Sequence, residues 1–191
     1  MKKEHDATTA GWLSVTRLAQ MGMLAAIAVV LIIYVRIPLI PAASYLVYDM
    51  ADVPVLLGAY LFGPLAGLLI LTVASAIQAF MLGGNGIIGF IMHMCASGAL
   101  VVIASLLYRR LGSSNRSLII SLVAGGLGMT ALMIPLNLIF TPLLFGMPVQ
   151  AVANLILPVL LPFNLIKAGL NSALFFLVFK SLRLALKEKV Q

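Results

Sequence analysis

The sequence predicts an all-α fold: a polytopic membrane bundle of six transmembrane helices with both termini cytoplasmic. Three observations predict it. First, 63% of the 191 residues are hydrophobic, only 9% are charged, and mean hydropathy is +1.17. A soluble domain carries roughly 45–50% apolar and about 25% charged residues. A soluble enzyme and a disordered tail are both excluded. Second, the apolar runs are continuous rather than alternating, which argues against a β-barrel. At about 20 residues per crossing, the length holds five or six helices and no separate catalytic domain. Third, the basic residues are segregated, as counted below.

The elements follow in order. Residues Met1 to Thr16 are a polar tail, with Ser14 or Thr16 as the N-cap of a first helix over Leu18–Val35. That run is longer than a signal-peptide core and has no cleavage site close behind it. Arg36 to Met50 forms a loop hydrophobic enough to pack on the bundle. A second helix begins near Asp52, whose carboxylate suits a cap, with Pro54 in its first turn. Gly63-Pro64 ends it. A helix so short does not span straight, so it pairs with the third, Pro64–Leu82, in a distorted hairpin. Gly83-Gly84-Asn85-Gly86 is a tight turn. The fourth helix covers Ile87–Tyr108, and the fifth Leu118–Phe140, with Pro135 as a kink. Thr141–Leu161, with Pro142, Pro148 and Pro158, reads as an apolar loop with room for some helix, and the sixth helix covers Pro162–Lys187.

In this topology one side receives Lys2, Lys3 and Arg17, then Arg109, Arg110 and Arg116, then Lys180, Arg183, Lys187 and Lys189. The other side receives only Arg36, and Lys167 lies within the sixth helix. The basic side faces the cytoplasm by the positive-inside rule. The net charge of +7 therefore sets topology against anionic lipid, and nucleic acid is not an expected partner. The loops at 36–50 and 141–161 and the glycine turn face outward.

Lys167 is the most informative residue. It sits roughly 8–9 Å into the sixth helix. An ammonium at membrane depth costs about 2.5–3.5 kcal/mol, so it either snorkels to the outer headgroups or is kept for a polar partner. Asn164 and Asn171, three residues before and four after, share its helical face. At the same level lie Asn137, Asn85, Gln78, Asp49 and Asp52. Asn85 and Gln78 read equally as turn or interhelical chemistry and as ligand contacts. Asp49 has either Lys167 or a ligand as its partner. The glycine turn lets backbone amides approach a ligand, and Tyr45 or Tyr48 supplies a ring to stack on it. Together these predict an outward-facing cavity for a neutral heteroaromatic molecule.

Catalysis has little support. His93 and Cys95 are two apart, on different sides of a helix. His93 reads as an interhelical histidine and Cys95 as a packing residue. No metal-spaced cluster, nucleophile motif or phosphate loop is present. No cofactor or metal is expected, and uphill movement of a ligand requires energy from a partner. Gly22, Ala25, Ala26 and Val29 form a flat patch on the first helix, suited either to a partner helix or to internal packing.

Tyr48-Asp49-Met50-Ala51-Asp52-Val53-Pro54, running into Phe62-Gly63-Pro64-Leu65-Ala66-Gly67, resembles the substrate-binding S components of energy-coupling factor (ECF) vitamin transporters. Pro162-Phe163-Asn164-Leu165-Ile166-Lys167, with Asn171 following, is similar to their riboflavin-binding members. The resemblance implies a riboflavin site, with riboflavin as transported ligand, in a membrane-embedded domain over 17–187 between tails at 1–16 and 188–191. It implies that Ala43, Leu46, Asp49, Gly83, Asn85, Asn137, Asn164, Lys167 and Asn171 bind substrate, and that Pro41, Tyr45 and Tyr48 belong to a gating loop. It also implies an ECF module, made of a transmembrane coupling subunit and two ATPases, as partner through Gly22, Ala25, Ala26 and Val29. Cell-membrane localisation follows. Two alternatives stand beside it: an S component for a different vitamin or heteroaromatic molecule, and a small membrane enzyme acting on lipid.

Overall fold

The computed structural model describes residues 14–43 and 45–188. The expected tails therefore lie mostly outside the described residues. The elements are α1 (Val15–Tyr34), β1 (Ile37–Pro38), β2 (Val47–Tyr48), α2 (Asp52–Phe62), α3 (Pro64–Met81), α4 (Gly86–Leu111), α5 (Asn115–Phe145), α6 (Val149–Leu155) and α7 (Leu161–Glu188). A wide π turn over Ile156–Leu160 joins α6 to α7, so the two run on as one apolar stretch, Val149–Ala185. The bundle thus has six helical rods. Five are long and apolar enough to cross a membrane, and α2 is the short one.

Local chemistry explains the ends. Ser14 caps α1, its hydroxyl accepting from the Arg17 amide at 3.3 Å. Ser114 caps α5 through Ser117 N–H in the same way. Gly63 has φ of +111° and lets the chain reverse between α2 and α3, with Pro64 opening α3. α2 is only 11 residues, about 16 Å long, against a hydrocarbon core of about 30 Å. Its first turn is buried, so it begins within the bundle rather than at its rim.

α2 is the hub, touching α1, α3, α4 and α7, while α5 packs on α4 and α7. At Gly125 a side chain would press into the Leu100 carbonyl, so this glycine lets α5 lie against the α4 backbone. The main core runs through Leu56, Leu71, Leu100 and Leu118 to Phe175. There Tyr60, Tyr108, Phe175 and Phe179 stack at ring centroid separations of 4.7–6.0 Å. A separate cluster packs Ala43 and Leu46 against Val152, Val159, Leu160 and Phe163. The 36–51 segment is thus fastened to α6 and α7, with β1 and β2 as a two-residue antiparallel ribbon. Large apolar side chains cover the outside of every long helix, as a lipid-facing surface requires.

Two sequence expectations are corrected. The stretch 141–161 is not a loop. α5 continues through Pro142 to Phe145, and only Gly146 to Pro148 interrupts helix, Gly146 adopting a left-handed φ of +64°. Pro158 lies in the π turn, whose wider winding accommodates a residue lacking an amide donor. Asp52 does not cap α2. It is the first helical residue, and its carboxylate is engaged elsewhere.

Candidate functional site

A cavity of about 390 Å3 opens at the end of the bundle that carries the 36–51 segment and the glycine turn. That size lies within the usual range for small-molecule sites. Helical spacing builds its walls. α7 contributes Phe163, Asn164 and Lys167, which share one face. α4 contributes Gly89, Met92, His93, Ala96 and Ser97, again one face. Ser75, Gln78 and Ala79 come from α3, and Met129, Met133 and Phe145 from α5. The 36–51 segment adds Tyr45, Leu46, Val47 and Asp49, with Arg36 at one side. A larger concavity of about 470 Å3 between α5 and α7 is lined by apolar and small residues, without a titratable group. The polar cavity is therefore the candidate site.

Lys167 is 7% exposed, and its Nζ donates to Asp49 Oδ2 at 2.9 Å. An ammonium has three donors, and Asp49 takes one. Asp49 is itself locked: its Oδ1 accepts from Ala51 N–H at 3.1 Å, at the positive end of α2. Burial alone would push the Asp49 carboxyl up. The Lys167 ammonium, with His93 and the two hydrogen bonds, outweighs burial and holds it below the ordinary carboxylate range.

Asn171 sits one turn behind Lys167 and clips the segment in place. Its Nδ2 donates to the Asp49 carbonyl at 3.1 Å and to Asp52 Oδ2 at 2.9 Å, and its Oδ1 accepts from Tyr48 Oη at 3.0 Å. One amide thereby ties three residues of the 48–52 stretch to α7. Asn164 Nδ2 donates back to the Leu160 carbonyl at 2.7 Å, where the π turn meets α7.

The glycine turn is held by close packing. Gly84 N–H donates to the Gln78 carbonyl at 3.0 Å, and a Cβ at Gly89 would stand inside the Gly84 carbonyl. Asn85 takes a left-handed φ of +66°, one of the few such positions open to asparagine. Arg36 donates to the Leu82 carbonyl at 3.1 Å, joining the 36–51 segment to the same turn.

Of the residues singled out in the sequence, Tyr45, Leu46, Asp49, Gln78, Gly83, Gly84, Asn85, His93, Asn164 and Lys167 line this cavity. Tyr45 also packs on Phe145 with ring centroids 4.9 Å apart, and burial pushes its phenol pKa up. Others stand away from it. Tyr48 is buried and turned into the bundle. Asn171 lies behind the lining, and Ala43 packs under it. Pro41 is exposed in a 3-10 turn. Asn137 is buried within its own helix, donating to the Met133 carbonyl and accepting from Thr141. On α1, Gly22 and Ala26 are exposed and Val29 half-buried, but Ala25 faces the core and not the exposed side. The sequence reading passed over Ser75, Ser97, Met129 and Met133. Ser75 shares the α3 face of Gln78 and Ser97 the α4 face of His93, a spacing their small side chains mask, while Met129 and Met133, four apart on α5, carry no polar signal.

The arrangement can bind without transforming. It offers apolar side walls, a fixed ion pair and several amide or hydroxyl groups, and among the described residues no cluster able to hold a metal ion. Residues 16–179 match the family described as ECF transporter, substrate-specific component. The chain is 31% identical to riboflavin transporter RibU of Staphylococcus aureus (strain TCH60), covering 90% of this chain and 93% of that one. It is 28% identical to riboflavin transporter FmnP of Bacillus subtilis (strain 168), covering 90% and 94%. A solved structure, "Structure and mechanism of the S component of a bacterial ECF transporter", superposes with a TM-score of 0.79 at 31% identity, over 90% of this chain and 98% of that one. With a polar cavity open at one end of a six-rod membrane bundle and a family match over residues 16–179, the chain belongs to the substrate-specific components of ECF transporters.

Proposed function

We propose that this chain captures riboflavin at the outer face of the cell membrane and delivers it through an ECF module of one transmembrane coupling subunit and two ATPases. The observation that carries this is the Lys167 ammonium, held by Asp49 on the wall of a cavity that mixes apolar side chains with amides and hydroxyls. A flavin ring has flat apolar faces and an edge of carbonyl and N–H groups. The flat faces suit Leu46, Met129, Phe145 and Phe163, and the edge suits Lys167, Asn164 and Asp49. The names of the relatives, riboflavin transporters in two species, support the same ligand. Asp49, Lys167, Asn164, Gly83 and Asn85 contact it, Tyr45 and Leu46 close over it, and Asn171 positions the pair from behind. The exposed Gly22–Ala26 side of α1 suits the coupling subunit. Segregation of basic residues supports cytoplasmic termini.

Purified protein should be yellow, or should quench riboflavin fluorescence at submicromolar concentration. Lys167→Ala should weaken binding about ten- to a hundredfold, the range for losing a charged hydrogen bond. Tight binding of another vitamin with no riboflavin binding would reassign the ligand. Unchanged affinity in Lys167→Ala would reject the site.

A further inference from the structure

One wall of the cavity is not used by a flavin edge bound at Lys167. On α3, Ser75 and Gln78 are three residues apart. On α4, His93 and Ser97 are four apart, about 6 Å along the axis. All four line the cavity. Ser75 Oγ and His93 Nδ1 are hydrogen-bonded at 3.1 Å, which fixes the imidazole plane. Gln78 Oε1, His93 Nε2 and Ser97 Oγ are buried and have no hydrogen-bond partner among the described residues. A folded protein rarely leaves buried polar atoms unmet, and here three gather on one wall of a binding cavity. A hydroxylated molecule that displaces water from the cavity would meet these atoms.

Their chemistry restricts that molecule. Gln78 Oε1 only accepts, the Ser97 hydroxyl does both, and His93 Nε2 does either according to tautomer. A rigid ring edge presents one fixed pattern. A chain of hydroxyls rotates to supply donors and acceptors in sequence. The nearby cation Arg36 lies at the side of the cavity, engaged with the Leu82 carbonyl, so the wall itself is not arranged for a phosphate. We propose that Ser75, Gln78, His93 and Ser97 form the subsite for a polyhydroxyl chain on the ligand. His93 is its specificity-determining residue, and Ser75 positions the ring. This rests on the flavin reading, in which that chain is the ribityl group.

The test compares riboflavin with lumiflavin, which has the same ring system and a methyl in place of the ribityl chain. Dissociation constants are read by fluorescence quenching for wild type, Ser97→Ala and His93→Ala. Wild type should prefer riboflavin. Both variants should weaken riboflavin about five- to tenfold and leave lumiflavin within about twofold. Ser97 Oγ has no hydrogen-bond partner among the described residues, so Ser97→Ala should fold normally and keeps the test decisive if His93→Ala does not. Equal losses for both flavins, or riboflavin affinity unchanged in Ser97→Ala, would overturn the subsite. Wild type binding no flavin at all would overturn the riboflavin reading itself, a separate outcome from wild type binding normally and the variants failing to discriminate.

Discussion

At the scale of single residues, the Asp49–Lys167 pair explains how an ammonium is tolerated at depth. Both side chains are nearly buried, at 3% and 9% exposure, so solvent screens the pair little. Removing one partner strands the other charge, at a cost of about 3–5 kcal/mol. Asp49→Asn and Lys167→Met should each lower the midpoint of thermal unfolding in detergent, and the double variant should recover much of the loss. Strictly additive effects would show that the two groups do not stabilise one another. The pH dependence follows from Asp49. Its folded pKa lies below its unfolded value of about 3.9, so its contribution is fully present above that value. It is lost only as pH falls through the lower folded value, and between pH 5 and 8 this carboxyl leaves stability flat. The sequence made Lys167 and Asn164 legible because polar residues on an apolar helix face demand a reason. It left Asp49 between Lys167 and a ligand and hid the bond from Tyr48 to Asn171, because these partners stand 118 and 123 residues apart in the chain. No local pattern encodes such a separation.

At the scale of elements, glycine positions separate close contact from open space. Gly89 holds the α3–α4 turn against the first turn of α4, with the Gly84 carbonyl where a side chain would sit. Gly89→Ala should displace the turn that brings Gly83 and Asn85 to the cavity. Ligand affinity should fall at least about tenfold while helical circular dichroism is retained. Gly169→Ala meets nothing within 4 Å and improves helix propensity, so affinity and stability should hold or rise slightly. Equal behaviour of the two variants would contradict the packing described at Gly89. Helix boundaries at Asp52, Phe62 and Pro64 were readable because Gly63-Pro64 is an unambiguous break. In the stretch 141–161 the three prolines do not carry equal weight, and the sequence does not rank them. Pro142 is carried inside α5 and Pro158 inside the π turn, and only Pro148, behind the left-handed Gly146, marks a true interruption.

At the scale of the whole molecule, composition alone fixed the class, since a chain so poor in charge cannot cover itself in water. Orientation is the prediction that belongs here. With Cys95 replaced by Ala, Val149→Cys should react with an impermeant thiol reagent on intact cells. Ser113→Cys should react only after lysis. The reverse pattern would invert the bundle and turn the cavity to the cytoplasm. The 36–51 segment ties these scales together, because it brings one half of a charge pair whose other half is rooted in α7. Lifting that segment away would unpair a cation in a poorly polarisable interior, and the molecule resists doing so. Any movement that swings the segment outward therefore has to hand the ammonium another polar partner, and the ion pair biases the segment toward its seat on α7.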